Sequence, residues 1–187
     1  MIILFLLFLL GVNGQELITD PGFELSFENQ TNPYWNSIEN NSPYLFMFNN
    51  QSKYSEIRSH TGEGFLLLLE SGQQESRQYI WQFKNGTDKV GNVEISFYLK
   101  IVPIGGGNKR DTYFSVKFEF IDQTIDVFHM NSTQIFDYLS YTEITWQGNV
   151  NDYGDASVVI FHRGTSYSKE DLNIYLIDDF HINNSLS

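Results

Sequence analysis

Polar and apolar residues alternate with period two over long stretches of this chain, the pattern left by strands that bury one face. In Glu94–Ile101 the apolar set Ile95, Phe97, Leu99 and Ile101 alternates with Glu94, Ser96, Tyr98 and Lys100. In residues 112–120 Phe114, Val116, Phe118 and Phe120 alternate with Tyr113, Ser115, Lys117 and Glu119. Pro103–Arg110, with Gly105-Gly106-Gly107, predicts a flexible hairpin loop between them, which sets both polar faces on one side of one sheet. Each strand buries four large side chains, at about 1.5–3 kcal/mol apiece. Further strands are predicted at Tyr44–Phe48, Phe65–Leu69, Arg77–Phe83, Ile121–Met130, Tyr138–Val150 and Ala156–Arg163. Phe65–Leu69 is a continuous apolar run, which fits a strand buried on both faces. No helical period holds over three turns. About ten strands at spacings of about 8–12 residues indicate an all-β fold, an antiparallel β-sandwich.

The last strand organises the rest. With period two, Ile174, Leu176, Asp178, Phe180 and Ile182 share a face that is apolar except for one carboxylate. A buried ionised carboxylate is costly unless a cation meets it, and no Lys or Arg lies nearby in sequence. Its partner is therefore a residue from elsewhere in the fold or a metal ion; the alternative is that Asp178 accepts backbone hydrogen bonds with no metal. The segment Leu17-Ile18-Thr19-Asp20-Pro21-Gly22-Phe23-Glu24 supplies an apolar pair, a tight turn and an acid. The two ends are expected to meet around a calcium ion and close the sandwich.

Residues 1–14 read as a signal peptide, with an unbroken apolar run from Ile2 to Leu10 and Val12 and Gly14 suiting the small-residue requirement of a cleavage site. That run is too short for a bilayer, which takes about 20 residues to span. The remaining 15–187, about 170 residues, suit a single jelly-roll domain. N-x-Ser/Thr sequons at Asn29, Asn40, Asn50, Asn85, Asn131 and Asn183 point to glycosylated loops of a secreted protein. The absence of cysteine excludes a disulfide framework, thiol catalysis and Cys-ligated zinc. A net charge of −12 argues against nucleic acid and anionic membranes as partners, and favours neutral sugars or a basic protein.

The opening Leu17–Glu24 with Trp35 after it, the turn His60-Thr61-Gly62-Glu63-Gly64 before an apolar strand, and the closing Tyr175–Ile182 together resemble the galactose-binding-like jelly rolls. Within that family the chain is most similar to the carbohydrate-binding modules attached to bacterial xylanases and glucanases. The resemblance implies a structural calcium held by Glu24 and Asp178, with backbone oxygens near Gly22 and in the turn His60–Glu63. Oxygen ligands without His or Cys suit calcium on chemical grounds too. The chain departs from the family in carrying Asp20-Pro21 where Asn-Gly is usual, and in an Asn-rich insertion around residues 36–52. MAM-type adhesion domains share the ends and the turn, but their cysteines are missing here.

The expected function is a secreted, non-catalytic binding module that recognises carbohydrate or a glycosylated surface. Tyr98, Tyr113 and Trp81 would stack on sugar rings, while Lys100, Lys117 and Glu119 read hydroxyls. The alternative for that face is a solvated sheet with cross-strand Lys–Glu pairs. A protein-interaction module of the MAM-like kind is the rival function. A sandwich-fold glycoside hydrolase is the third reading, but Glu119 and Asp122 sit at a spacing that sends them to opposite faces of a strand. The four histidines show no metal-ligand spacing.

Overall fold

The computed structural model describes residues 15–16, 20–25, 32–40, 44–69, 76–84, 91–104, 112–119, 123–149, 156–164 and 172–185. They form β1 Gln15–Glu16, β2 Asn36–Asn40, β3 Tyr44–Phe48, β4 Gly64–Leu69, β5 Ser76–Lys84, β6 Asn92–Ile104, β7 Thr112–Glu119, β8 Thr124–Asn131, β9 Thr142–Asn149, β10 Ala156–Gly164 and β11 Leu172–Ser185. The first sheet has the order β3-β4-β11-β6-β9, with β1 also paired to β11; the second has the order β2-β5-β10-β7-β8. Every pairing is antiparallel. The fold is the predicted antiparallel β-sandwich of jelly-roll type. No helix among the described residues is long and apolar enough to cross a membrane.

The main core fills the space between the sheets, with Phe46, Leu66, Leu68, Ile95, Phe97 and Leu99 from the first meeting Phe114, Val116 and Ile160 from the second. A smaller core lies on the outer side of the first sheet, built from Met47, Ile57, Phe65, Leu67, Val102, Ile174 and Leu176. Successive residues of β4 therefore serve the two cores in turn. The unbroken apolar run has the two-sided burial expected of it, because Ile57, from the chain between β3 and β4, closes the outer side.

The predicted 94–101/112–120 hairpin does not form. β6 pairs with β11 and β9, whereas β7 pairs with β10 and β8, so the chain crosses between sheets after Ile104. Their apolar faces meet across the core instead of lying side by side, which satisfies the same alternating pattern. A second difference is in β11. The register with β6 shifts between Asp178 and His181, and Asp179 takes a left-handed φ of 48°. This β-bulge moves every later side chain to the other face. Tyr175, Ile177, Phe180 and Ile182 face the main core, while Ile174, Leu176 and Asp178 lie on the outer side. The single face predicted for Ile174 to Ile182 is therefore split by one extra residue.

A third difference is a 3₁₀ helix at Ser132–Tyr138 that delays the predicted 138–150 strand to Thr142. Asn131 caps it, its Oδ1 accepting from Thr133 N at 3.0 Å, and Ile135 anchors it by burial. The predicted signal segment 1–14 and the sequons at Asn29 and Asn85 lie outside the described residues.

Candidate functional site

The two chain ends meet at the turn between β3 and β4. Asp20 and Phe23 both hold φ near 56°, and the Asp20 carboxylate accepts from Leu25 N at 3.1 Å and from the Asn32 side-chain amide at 2.5 Å. This tight turn sends the Phe23 ring into the main core against Trp35, centroids 5.3 Å apart, and leaves the Pro21 carbonyl accepting from Phe180 N at 2.8 Å. Glu24 Oε1 accepts the amide protons of Glu63 and Gly64, each at 2.9 Å. Asp178 Oδ2 accepts those of His60 at 2.7 Å and Thr61 at 3.2 Å, and its Oδ1 accepts from Asp179 N at 2.8 Å. Asp179 meets His60 Nδ1 at 2.8 Å and accepts from Thr61 Oγ1 at 2.5 Å. Two carboxylates from opposite ends of the chain thus divide the amides of one turn between them, which clamps the ends together.

The candidate metal residues Glu24, Asp178, Gly22 and Glu63 all lie in this clasp. Glu24 is exposed, and Glu63 offers its amide proton to it. Asp178 is fully buried. Burial, followed by the negative charge of Asp179, pushes its carboxyl up to about 7, against the pull of the three amides. An acid whose folded value lies above its unfolded one takes up a proton on folding, so it favours the fold most in acid and progressively less as pH rises through that value. In chelator-treated protein, stability should therefore decline between about pH 4 and pH 7. Asp178→Asn should flatten that decline, and a slope untouched by the substitution contradicts the assignment.

The clasp suits a hard cation in some respects. It presents carboxylate oxygens, the donors a hard cation takes, and among the described residues no Lys or Arg forms an ion pair with Glu24, Asp178 or Asp179. No three His, Cys, Asp or Glu side chains among the described residues stand close enough to hold a metal alone. A calcium ion here would require backbone oxygens as well.

The residues expected to bind sugar fall into two groups. Tyr98 and Lys100 stand on the outer side of the first sheet, where the chain between β3 and β4 engages them. The His60 ring stacks on Tyr98 with centroids 3.6 Å apart, and Lys100 Nζ donates to the Glu56 carbonyl at 2.6 Å. Tyr141 donates to the Arg58 carbonyl at 2.6 Å, and burial holds its phenol well above its ordinary value. This cluster ties down a loop, so Tyr98 and Lys100 do not share an open face with Tyr113.

Tyr113, Lys117, Glu119 and the Trp81 position belong to the outer face of the second sheet. Phe114 is buried in the main core and Tyr113 is exposed, which fixes the sides. Directly opposed residues of an antiparallel pair share a face. The register gives three successive rows across all five strands: Asn40–Arg77–Arg163–Tyr113–Asn131, Ile38–Tyr79–Phe161–Ser115–His129 and Asn36–Trp81–Val159–Lys117–Asp126. Lys117 approaches Asp126 at 3.7 Å, and the buried Ser115 hydroxyl meets no partner among the described residues. The positions of Tyr79, Phe161, Arg77 and Arg163 fall in the same rows, a grouping that sequence reasoning did not make. Their alternation in 77–83 and 157–163 was visible, but that β10 lies between β5 and β7 was not.

Of the sequons, Asn50 and Asn131 are exposed, Asn183 is half-buried in β11, and Asn40 ends β2. A separate groove of about 450 Å³ at the β6–β9 edge is lined by Asn92, Val93, Glu94, Gln147, Gly148 and Asn149.

No family model and no curated protein matches the sequence. Solved structures do match the fold. TmCBM61, determined in complex with β-1,4-galactotriose, aligns with a TM-score of 0.61 at 15% identity, over 91% of this chain and 99% of its own. A structure from work on promiscuous carbohydrate-binding modules of the β-sandwich superfamily aligns at 0.54 and 14% identity, over 88% of this chain and 62% of its own. The CBM22-1 xylan-binding domain of Paenibacillus barcinonensis Xyn10C aligns at 0.51 and 15% identity, over 93% and 97%. The chain has the β-sandwich fold of the carbohydrate-binding modules.

Proposed function

We propose that this chain is a secreted carbohydrate-binding module, with no catalytic step of its own, that holds saccharide on the outer face of the second sheet. The observation that carries the reading is the register, which brings the positions of Trp81, Tyr79, Phe161 and Tyr113 onto one face with Lys117 and Glu119. Aromatic rings take the flat apolar faces of sugars while charged and amide groups read hydroxyls. Likeness to modules solved or described with galactotriose and xylan supports the ligand class. Titration calorimetry against galactan, xylan and acidic polysaccharides tests it. Tyr113→Ala and Trp81→Ala should each weaken binding about tenfold or more, the equivalent of about 1.4 kcal/mol. Tyr98→Ala should leave affinity unchanged. Absence of binding to every polysaccharide, or a loss specific to Tyr98→Ala, contradicts the reading.

Calcium belongs to the same reading as a structural ion at the clasp. Glu24 and Asp178, with backbone oxygens near Gly22 and in the turn His60–Glu63, would hold it, and its charge would offset that of buried Asp178. A site loaded to about 100 times its dissociation constant adds about 2.7 kcal/mol, several degrees of melting temperature for a domain of this size. Chelation should lower the melting temperature, calcium should restore it, and Glu24→Gln should abolish the response. A melt indifferent to chelator removes calcium from the reading without touching the sugar face.

A further inference from the structure

A sequon and a polar groove meet on the outer face of the first sheet, away from the face read as binding saccharide. Val93, Ile95 and Ile182 are buried in the main core, so their chain neighbours Asn92, Glu94 and Asn183 belong to the outer face. The register opposes Asn183 to Glu94 and Glu94 to Gln147, a single row across β11, β6 and β9. Asn92 and Asn149 form the next opposed pair, and Asn149 Nδ2 donates to Asn92 Oδ1 at 2.9 Å. Asn92, Glu94, Gln147 and Asn149 are exposed and line the groove of about 450 Å³. The row on the other side, His181–Ser96–Thr145, is polar as well. Asn183 thus opens the sequon Asn183-Asn184-Ser185 from within a strand rather than a loop, beside a groove walled by amides and one carboxylate.

We infer that Asn183 carries an N-linked glycan whose first two N-acetylglucosamine residues lie along the row Asn183–Glu94–Gln147 and occupy the groove. The inference goes beyond the saccharide-binding face and rests only on the reading of the chain as secreted. β11 is paired on both sides at Asn183, so the transfer precedes folding. The host transferase forms the bond: Nδ2 of Asn183 attacks C1 of a lipid-pyrophosphate oligosaccharide, the C1–O bond breaks, lipid pyrophosphate leaves, and the amide proton passes to a base of the transferase. Strands in a sheet are about 4.7–4.9 Å apart, which sets Gln147 about two spacings from Asn183, the reach of a disaccharide. Side-chain amides offer donors and acceptors together and Glu94 adds acceptors, a set that pairs with hydroxyl and N-acetyl groups. The lining holds no aromatic ring and no cation, so a free sugar would find only exposed hydrogen bonds to offset its loss of freedom. A tethered one is already at high effective concentration. Its place over β9, the edge strand of this sheet, would also shield that edge from pairing with another chain.

The test expresses the full chain through the secretory pathway of a eukaryotic host. Glycopeptide mass spectrometry should find Asn183 occupied. On native protein, peptide N-glycosidase should release that glycan at least tenfold more slowly from the wild type than from Gln147→Ala/Asn149→Ala, and at the same rate from both once they are denatured. After deglycosylation the two proteins should melt at the same temperature. Should the double variant melt early, the wild type alone decides: nuclear Overhauser contacts between the glycan acetyl methyl groups and the side-chain amides of Gln147 and Asn149 are expected, and their absence overturns the inference. An unmodified Asn183, or equal native release rates, overturns it as well. Each of these failures leaves the saccharide face of the second sheet standing.

Discussion

Phe180→Ala should lower the unfolding free energy by about 3–5 kcal/mol. The ring is fully buried, stacks on Phe97 at 5.1 Å and meets the edge of Trp35 at 5.9 Å, so its removal leaves a cavity lined by rigid aromatics that cannot collapse into it. Its amide also donates to Pro21, which couples the end of the chain to the first turn. Urea unfolding measures the loss. Phe136→Ala, at a residue 53% exposed on the 3₁₀ helix, serves as control and should change stability by about 0.5 kcal/mol or less. A Phe180→Ala loss no greater than that of the control would mean that the bulge does not place this ring in the core.

Gly64→Ala carries the second large effect. A Cβ there would stand 2.6 Å from the Phe23 carbonyl oxygen and 2.8 Å from its carbon, and both belong to the backbone of the turn clasped by Glu24. Neither atom can rotate away, so β4 and the first turn must separate, at about 1–3 kcal/mol. Gly22→Ala is the internal comparison. Its added methyl would meet only side-chain atoms at 3.6 Å or more, which is ordinary contact. Thermal melts should show Gly64→Ala well below Gly22→Ala, and equal melting temperatures would contradict the close approach.

Local pattern revealed the strands and the two-sided burial of Phe65–Leu68, because burial is written into period and composition. It also singled out Asp178, a lone acid on an apolar face, and marked His60–Gly64 as a turn, whereas joining Glu24 and that turn to Asp178 in one site came from the resemblance to galactose-binding-like jelly rolls. The sheet assignment of β6 and β7 was not legible: alternating faces are satisfied equally by a hairpin and by a crossing between sheets. Nor was the bulge at Asp179. A single left-handed residue that inverts the faces of Phe180 and Ile182 leaves no mark in an Ile-Asp-Asp-Phe sequence, where period two reads straight through. The candidate sugar face shows the same limit. Trp81, Lys117 and Tyr113 were each visible, but only long-range pairing through β10 makes them neighbours.

The location of the binding face is tested most directly by titrating a bound saccharide into isotope-labelled protein and following backbone amide shifts. The largest changes are predicted on β5, β7 and β10, around residues 77–81, 113–117 and 159–163. Changes confined to β4, β6 and β9, around Tyr98 and Lys100, would contradict it.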